Sequence, residues 1–276
     1  MDRIRLIASD MDATLLDEQS QLPADFEETI HALAELGIRF APASGRPLYT
    51  LEELFPTLRD ELVFIGDNGG AIRWKGQNLF TSEMSPEGWR ALNRLTREQG
   101  DIAVLCGLES AYVERSFAVH DAVLRHFYTK IEYVDRLEDV TAPADKFTIY
   151  LPQHNAQQAY DTVYASQRSI YSVAVAGECW VDIMNPGVHK GAALQTLGQL
   201  WGLPSESIMA FGDTYNDAEM LQTVRYGFLM ENGSVPLRQK VPFLAPSNRE
   251  AGVMQVLHRV LAQNGCVCPE DFVPAH

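Results

Sequence analysis

One repeated unit constrains this chain more than any other feature. A short apolar run stops at small polar residues, and helical spacing follows. Residues 4–8 are apolar except for Arg5 and stop at Asp10-Met11-Asp12-Ala13-Thr14. Residues 38–43 stop at Ser44-Gly45-Arg46-Pro47, and residues 62–65 run into Gly66-Asp67-Asn68-Gly69-Gly70. Residues 207–211 end in Gly212-Asp213-Thr214-Tyr215-Asn216-Asp217. Apolar runs without alternation suit strands buried on both faces, as in a parallel sheet. Helices are expected over 23–36, with Gly37 as its stop, and over 49–55, 192–201 and 250–263. Residues 71–80 read as a hairpin around Lys75-Gly76.

From residue 83 the texture changes. Helical patterns at 86–99 and 154–169 alternate with strand-like runs at 102–105, 111–115, 146–151, 172–176 and 180–184. The connections are long, and this stretch reads as a separate α+β unit inserted into the first. The chain is expected to be α/β, with a core of 1–82 plus 185–276 and an insert of 83–184. The tail, 264–276, carries no chemistry that can be read.

Composition excludes some partners. With 276 residues, 46% of them hydrophobic, the chain has enough material for a full core and a smaller domain. A formal charge of −15 repels nucleic acid, and no basic run offsets it. It also repels a phosphorylated substrate at long range, so a phosphate site would need a metal and local cations. No stretch of about 18 apolar residues and no signal pattern is present, so a cytoplasmic protein without membrane contact is the expectation. Cys106, Cys179, Cys266 and Cys268 form no C-x-x-C pair and read as reduced thiols.

The chemistry starts at Asp10 and Asp12. In an extended chain these two point the same way and could approach one reacting centre. Neighbouring carboxylates repel unless a cation or proton lies between them, which makes a divalent ion their natural companion. A strand-terminal Asp could attack phosphorus while the second shuttles a proton; solvated acids in a polar turn are the alternative. Side by side in a parallel sheet, Asp10, Asp12, Ser44 and Asp213 fall at carboxyl ends, where open α/β sheets bind ligands. Three carboxylates suit Mg²⁺, a hard ion that prefers oxygen. Lys190 opens a helix and could reach the same rim; alone it would read as a surface lysine. Ser44 also fits a plain N-cap, Asp213 and Asp217 fit acids at a helix N-terminus, and Asn216 fits a turn.

Four stretches then come in a telling order: DMDATLL, ASGR, the Lys of GVHKGAAL, and GDTYNDAEML. They resemble the four motifs of the haloacid dehalogenase-like phosphatase superfamily. DNGG at 67–70, NPGVHKG, MENG at 230–233 and PSNREAGV at 246–253 resemble its Cof-type, class IIB branch. The resemblance implies a Rossmann-like core with an inserted cap. It implies a Mg²⁺-dependent phosphomonoesterase working through an aspartyl-phosphate. Asp10 would be nucleophile and metal ligand. Asp12 would be the proton shuttle, with its backbone carbonyl on the metal. Lys190 would neutralise charge, Asp213 would ligate Mg²⁺, and Asp217 would support it. Thr14, Ser44, Gly45, Arg46, Asn68 and Asn216 would contact phosphate or substrate.

Sugar phosphates are the first expectation for the small phosphorylated substrate, then pyridoxal phosphate or flavin mononucleotide. Glu178, Trp180 and Asp182 alternate on a strand; they read first as a solvated face, with a sugar-binding face as the alternative. Ala13 stands where the family usually has Gly, and it would be strained if its φ is positive. Glu231-Asn232 replaces the branch's frequent Gly-Asn on a loop expected near the site. A phosphomutase, or a weakly catalytic binding protein, is the rival reading; monomer or dimer is left open.

Overall fold

The structure is a computed structural model describing residues 1–276. Its larger sheet has nine strands. In spatial order they are Val273–Pro274, Phe243–Ala245, Tyr226–Met230, Ile208–Gly212, Leu6–Asp10, Arg39–Ala43, Val63–Gly66, Ala71–Trp74 and Gln77–Thr81. The six from Phe243–Ala245 to Val63–Gly66 run parallel, and the outer pairings are antiparallel. Ile7 faces the helices Phe26–Glu35 and Gly252–Ala262, together with Phe40, Met209 and Phe211. Leu6 and Ala8 face the opposite way, onto Leu194, Leu197 and Met220 of Lys190–Trp201 and Ala218–Thr223. Helices cover both faces, which explains why the strands lack polar alternation.

The smaller sheet is drawn entirely from the middle of the chain. Its order is Ser172–Val175, Trp180–Met184, Ala144–Tyr150, Ile102–Gly107, Ala111–Glu114 and Ile131–Val134. The chain crosses between the sheets twice, and the crossings are tied together. Asn185 Nδ2 donates to the carbonyl of Glu83 at 2.8 Å and to that of Ser82 at 3.3 Å.

Two expectations need correction. The helix over 154–169 breaks into Ala156–Asp161 and a tight turn, Ala165–Ser169. β-Branched Thr162 and Val163 stand at the break, and Tyr164 plunges fully buried into the core to donate to Asp101 at 3.1 Å. The helix Asp121–Phe127 and the strand Ile131–Val134 were not foreseen; both leave most of their residues partly exposed, so no clean period marks them. The tail has a structural role. Cys266–Val267 pairs with Asp2–Arg3, and Phe272 packs edge-on against Phe228 at 5.0 Å. All four cysteines are free thiols. No helix is long and apolar enough to cross a membrane.

Candidate active site

The four motif-bearing strands end at one rim. Asp10 closes its strand, and the chain then turns sharply, with Leu16 N–H donating to the Met11 carbonyl at 2.9 Å. Ala13 takes φ of +60° in that turn. The left-handed region costs an L-residue about 1 kcal/mol or more, so the methyl of Ala13 is carried under strain. Two side chains from other loops hold the turn. Asn232 Nδ2 donates to the Ala13 carbonyl at 2.8 Å, and Asn248 Nδ2 to the Leu16 carbonyl at 2.9 Å. Asn248 N–H in turn donates to Asn232 Oδ1 at 3.0 Å. The sequence marked both loops as family-like without assigning these residues this work.

Asp10, Asp213 and Asp217 form a carboxylate cluster whose nearest oxygens lie within 4.8 Å of one another. Lys190 is wholly buried beneath it, donating to Asp10 and, at 2.7 Å, to Asp217 Oδ1. Its helix is capped by His189, whose Nδ1 accepts from Ala192 N–H at 3.2 Å. Burial, followed by the charge of Asp217, pushes Asp10 up to about 8 despite the opposing pull of Lys190. Burial and Asp217 push Asp213 up to about 6. Lys190 stays protonated, because Asp10 and Asp217 outweigh its own desolvation.

With one cation among three carboxylates, the cluster is two charges short of neutrality when ionised. All its free donors are oxygen. Both features fit a hard divalent cation such as Mg²⁺.

Asp217 differs from the other two acids. Its Oδ2 accepts from the amides of Asp213 at 3.0 Å and Thr214 at 3.2 Å, while Oδ1 takes Lys190. A Cβ on Gly212 would stand 2.5 Å from the Asp217 Cβ, so this fold-back requires glycine. Asp217, expected to support the metal site, also braces Lys190 and the Asp213 backbone through these hydrogen bonds. Asp12 departs from expectation. The turn takes its carboxylate away from the cluster and onto Arg46, whose Nη2 donates to it at 2.7 Å. Met11 begins a tight turn, so the alternation of the strand does not carry through to Asp12.

Thr14 Oγ1 is buried and has no partner, a hydroxyl left available to an incoming acceptor or donor. Ser44 Oγ accepts from Arg46 N–H at 3.1 Å. Asn68 N–H donates to the Ser44 carbonyl, which ties the two loops together. A cavity of about 160 Å³ lies between Asp12, Ser44, Gly45 and Arg46 on one side and Phe127, Lys146, Trp180 and Asp182 on the other. Trp180 and Asp182 are therefore buried cavity residues, not the solvated face expected. Only Glu178 fits that description, with an 83% exposed side chain. Lys146 was missed; a lone lysine opening an apolar run gives no sign of its burial. Asn216 is exposed and accepts from Thr214 Oγ1. With Asn68 and His189 it lines a second cleft of about 460 Å³.

Comparison with known proteins decides the family. Residues 7–257 match the family model of the haloacid dehalogenase-like hydrolases. The chain belongs to that family. The 5-amino-6-(5-phospho-D-ribitylamino)uracil phosphatase YbjI of Escherichia coli is 32% identical over 262 residues, covering 94% of this chain and 96% of that one. The HMP-PP phosphatase of Cronobacter sakazakii is 30% identical, covering 87% of this chain and 89% of that one. The crystal structure of SMU.1108c from Streptococcus mutans superposes with a TM-score of 0.84 at 29% identity, covering 94% of this chain and 99% of that one. This haloacid dehalogenase-like protein is a phosphatase of the family, and its α/β fold is the family's.

Proposed function

We propose that this phosphatase is a Mg²⁺-dependent phosphomonoesterase of small phosphorylated metabolites that works through an aspartyl-phosphate on Asp10. The observation that carries the reading is the buried Asp10–Lys190–Asp217 group beside Asp213 at the strand ends, next to the unpartnered Thr14 hydroxyl. Asp10, Asp213 and the Asp12 backbone carbonyl would hold Mg²⁺. When bound, the ion supplies positive charge to the phosphoryl oxygens.

The chain's own residues divide the remaining work. An Asp10 carboxylate oxygen attacks phosphorus, and the bond from phosphorus to the leaving oxygen breaks. Asp12 gives that oxygen its proton. Asp12 then takes a proton from water, the water oxygen attacks phosphorus, and Asp10 is released with inorganic phosphate. Thr14, Ser44 and the Gly45 backbone steady the phosphoryl oxygens, and Lys190 balances the charge on Asp10. Such positioning and charge neutralisation is most of phosphoryl-transfer catalysis. Arg46 and Asn68 face the leaving group, and Asn216 faces substrate from the second cleft. Residues 83–184 act as a cap that closes the site against water.

The relatives' names support a small metabolite as substrate. The cavity offers the aromatic faces of Phe127 and Trp180 to the substrate's organic part, which suits a sugar or a ring.

Phosphate release from a panel of sugar phosphates, pyridoxal phosphate and flavin mononucleotide, with Mg²⁺ or EDTA, tests the reading. Turnover of at least one member that needs Mg²⁺ is expected. A blank panel for the folded wild type would overturn it.

A further inference from the structure

The smaller sheet sends one cation across to the larger one. Lys146 lies on the strand Ala144–Tyr150 and is 2% exposed. Its ammonium donates to the Gly45 carbonyl at 2.6 Å and stands 2.9 Å from Asp67 Oδ1 and 3.4 Å from Asp182 Oδ2. The Gly45 contact is a hydrogen bond, and the two carboxylates hold the ammonium as ion pairs. Gly45 lies between Ser44 and Arg46, and Asp67 adjoins Asn68. The two loops are already stitched by backbone bonds, Asp67 N–H to the Arg46 carbonyl and Asn68 N–H to the Ser44 carbonyl, both at 2.9 Å. Asn68 is also held from the smaller sheet, its Nδ2 donating to Asp182 Oδ2 at 3.3 Å. There is no slack, since a Cβ on Gly45 would stand 3.2 Å from Asn68 Oδ1.

We propose that Lys146 is a positioning residue that docks the smaller sheet onto the two substrate-binding loops and fixes Ser44, Arg46 and Asn68 through Gly45 and Asp67. Burial opposes its charge, and Asp182 and Asp67 restore it, so the ammonium is retained inside the protein. The chain accepts this desolvation where the cavity is assembled, because without the dock the cavity has only one wall. A displacement of about 1 Å in such loops costs on the order of 100-fold in rate.

The catalytic arm of the test rests on the phosphatase reading; the exchange arm does not. Lys146→Met leaves Asp67 and Asp182 buried without their cation, and its unfolding midpoint falls. Lys146→Met combined with Asp67→Asn removes one charge of each sign, and its midpoint returns towards wild type. In that double variant, backbone amide exchange at position 67 and at Asn68 is expected to rise at least tenfold. Its kcat/KM for p-nitrophenyl phosphate should fall about 100-fold, with the Mg²⁺ concentration for half-maximal activity unchanged.

Wild-type exchange together with wild-type kcat/KM would overturn the proposal and leave Lys146 a packing element. A fall in kcat/KM with unchanged exchange would also overturn it, because Lys146 would then act on substrate. A wild type that releases no phosphate from any monoester sinks the phosphatase reading instead, and the exchange arm still decides the role of Lys146.

Discussion

Arg46 holds Asp12 apart from the buried carboxylates. Its Nη2 donates to Asp12 Oδ1 at 2.7 Å, and the Asp12 side chain is 57% exposed against 11% for Asp10. Two acids two residues apart thus occupy different media. One sits in a buried cluster against Lys190, suited to attack, and the other at the cavity mouth, suited to exchange protons with a leaving group and with water.

Asp12→Asn should therefore lower kcat by roughly 10²–10⁴-fold, the usual contribution of general acid–base catalysis. The loss should be larger for alkyl phosphates than in the phosphorylation step with p-nitrophenyl phosphate, whose leaving group needs little protonation. With that substrate the phosphorylated enzyme should accumulate, visible by intact-protein mass spectrometry as one added phosphoryl group.

Metal binding should follow the cluster and not the motif. At a hundred times its Kd, a ligand specific to the folded state adds about 2.7 kcal/mol. Mg²⁺ should raise the unfolding midpoint of the wild type and of Asp12→Asn, whose side chain lies outside the cluster. It should raise that of Asp213→Asn little or not at all. Thermal melts across a Mg²⁺ titration check this.

Ala13 adopts φ of +60° at a position where glycine carries no steric penalty. Ala13→Gly is expected to stabilise the protein by about 1 kcal/mol, since the strain removed outweighs the added chain entropy of the unfolded state. A chain of this size then melts about 2–4 °C higher. Denaturant or thermal unfolding measures it.

Phe272 anchors the tail in an aromatic group with Tyr226, Phe228 and Phe243. Phe272→Ala is expected to cost about 3 kcal/mol, in the range for a buried aromatic truncated to Ala. The loss should appear in equilibrium unfolding, with the Mg²⁺ requirement unchanged.

Much of the core was legible because it is periodic. Strands such as Leu6–Asp10 and Ile208–Gly212 are almost wholly apolar and lead straight into Asp10 and Asp213, so their shared rim follows from the chain alone, while their spatial order does not. Lys190 and Asp213 were legible through motif spacing. Lys146 was not, because burial of a lysine depends on Asp67 and Asp182, which lie 79 and 36 residues away in sequence. Trp180 and Asp182 were misread for a related reason. Alternation on a strand tells which residues share a face, but not whether a second domain covers it. The direction of the Asp12 side chain was lost at the turn, where Met11, between the two acids, leaves the extended geometry that alternation assumes.

The aspartyl-phosphate is the step on which everything else depends. Acid-quenching the enzyme during turnover of a phosphomonoester with Mg²⁺, followed by peptide mass spectrometry, looks for it directly. The expected result is one phosphoryl group on Asp10, absent when Mg²⁺ is removed by EDTA, and no turnover in Asp10→Asn. Steady turnover by an Asp10→Asn variant, or a phosphoryl group on another residue, would contradict it.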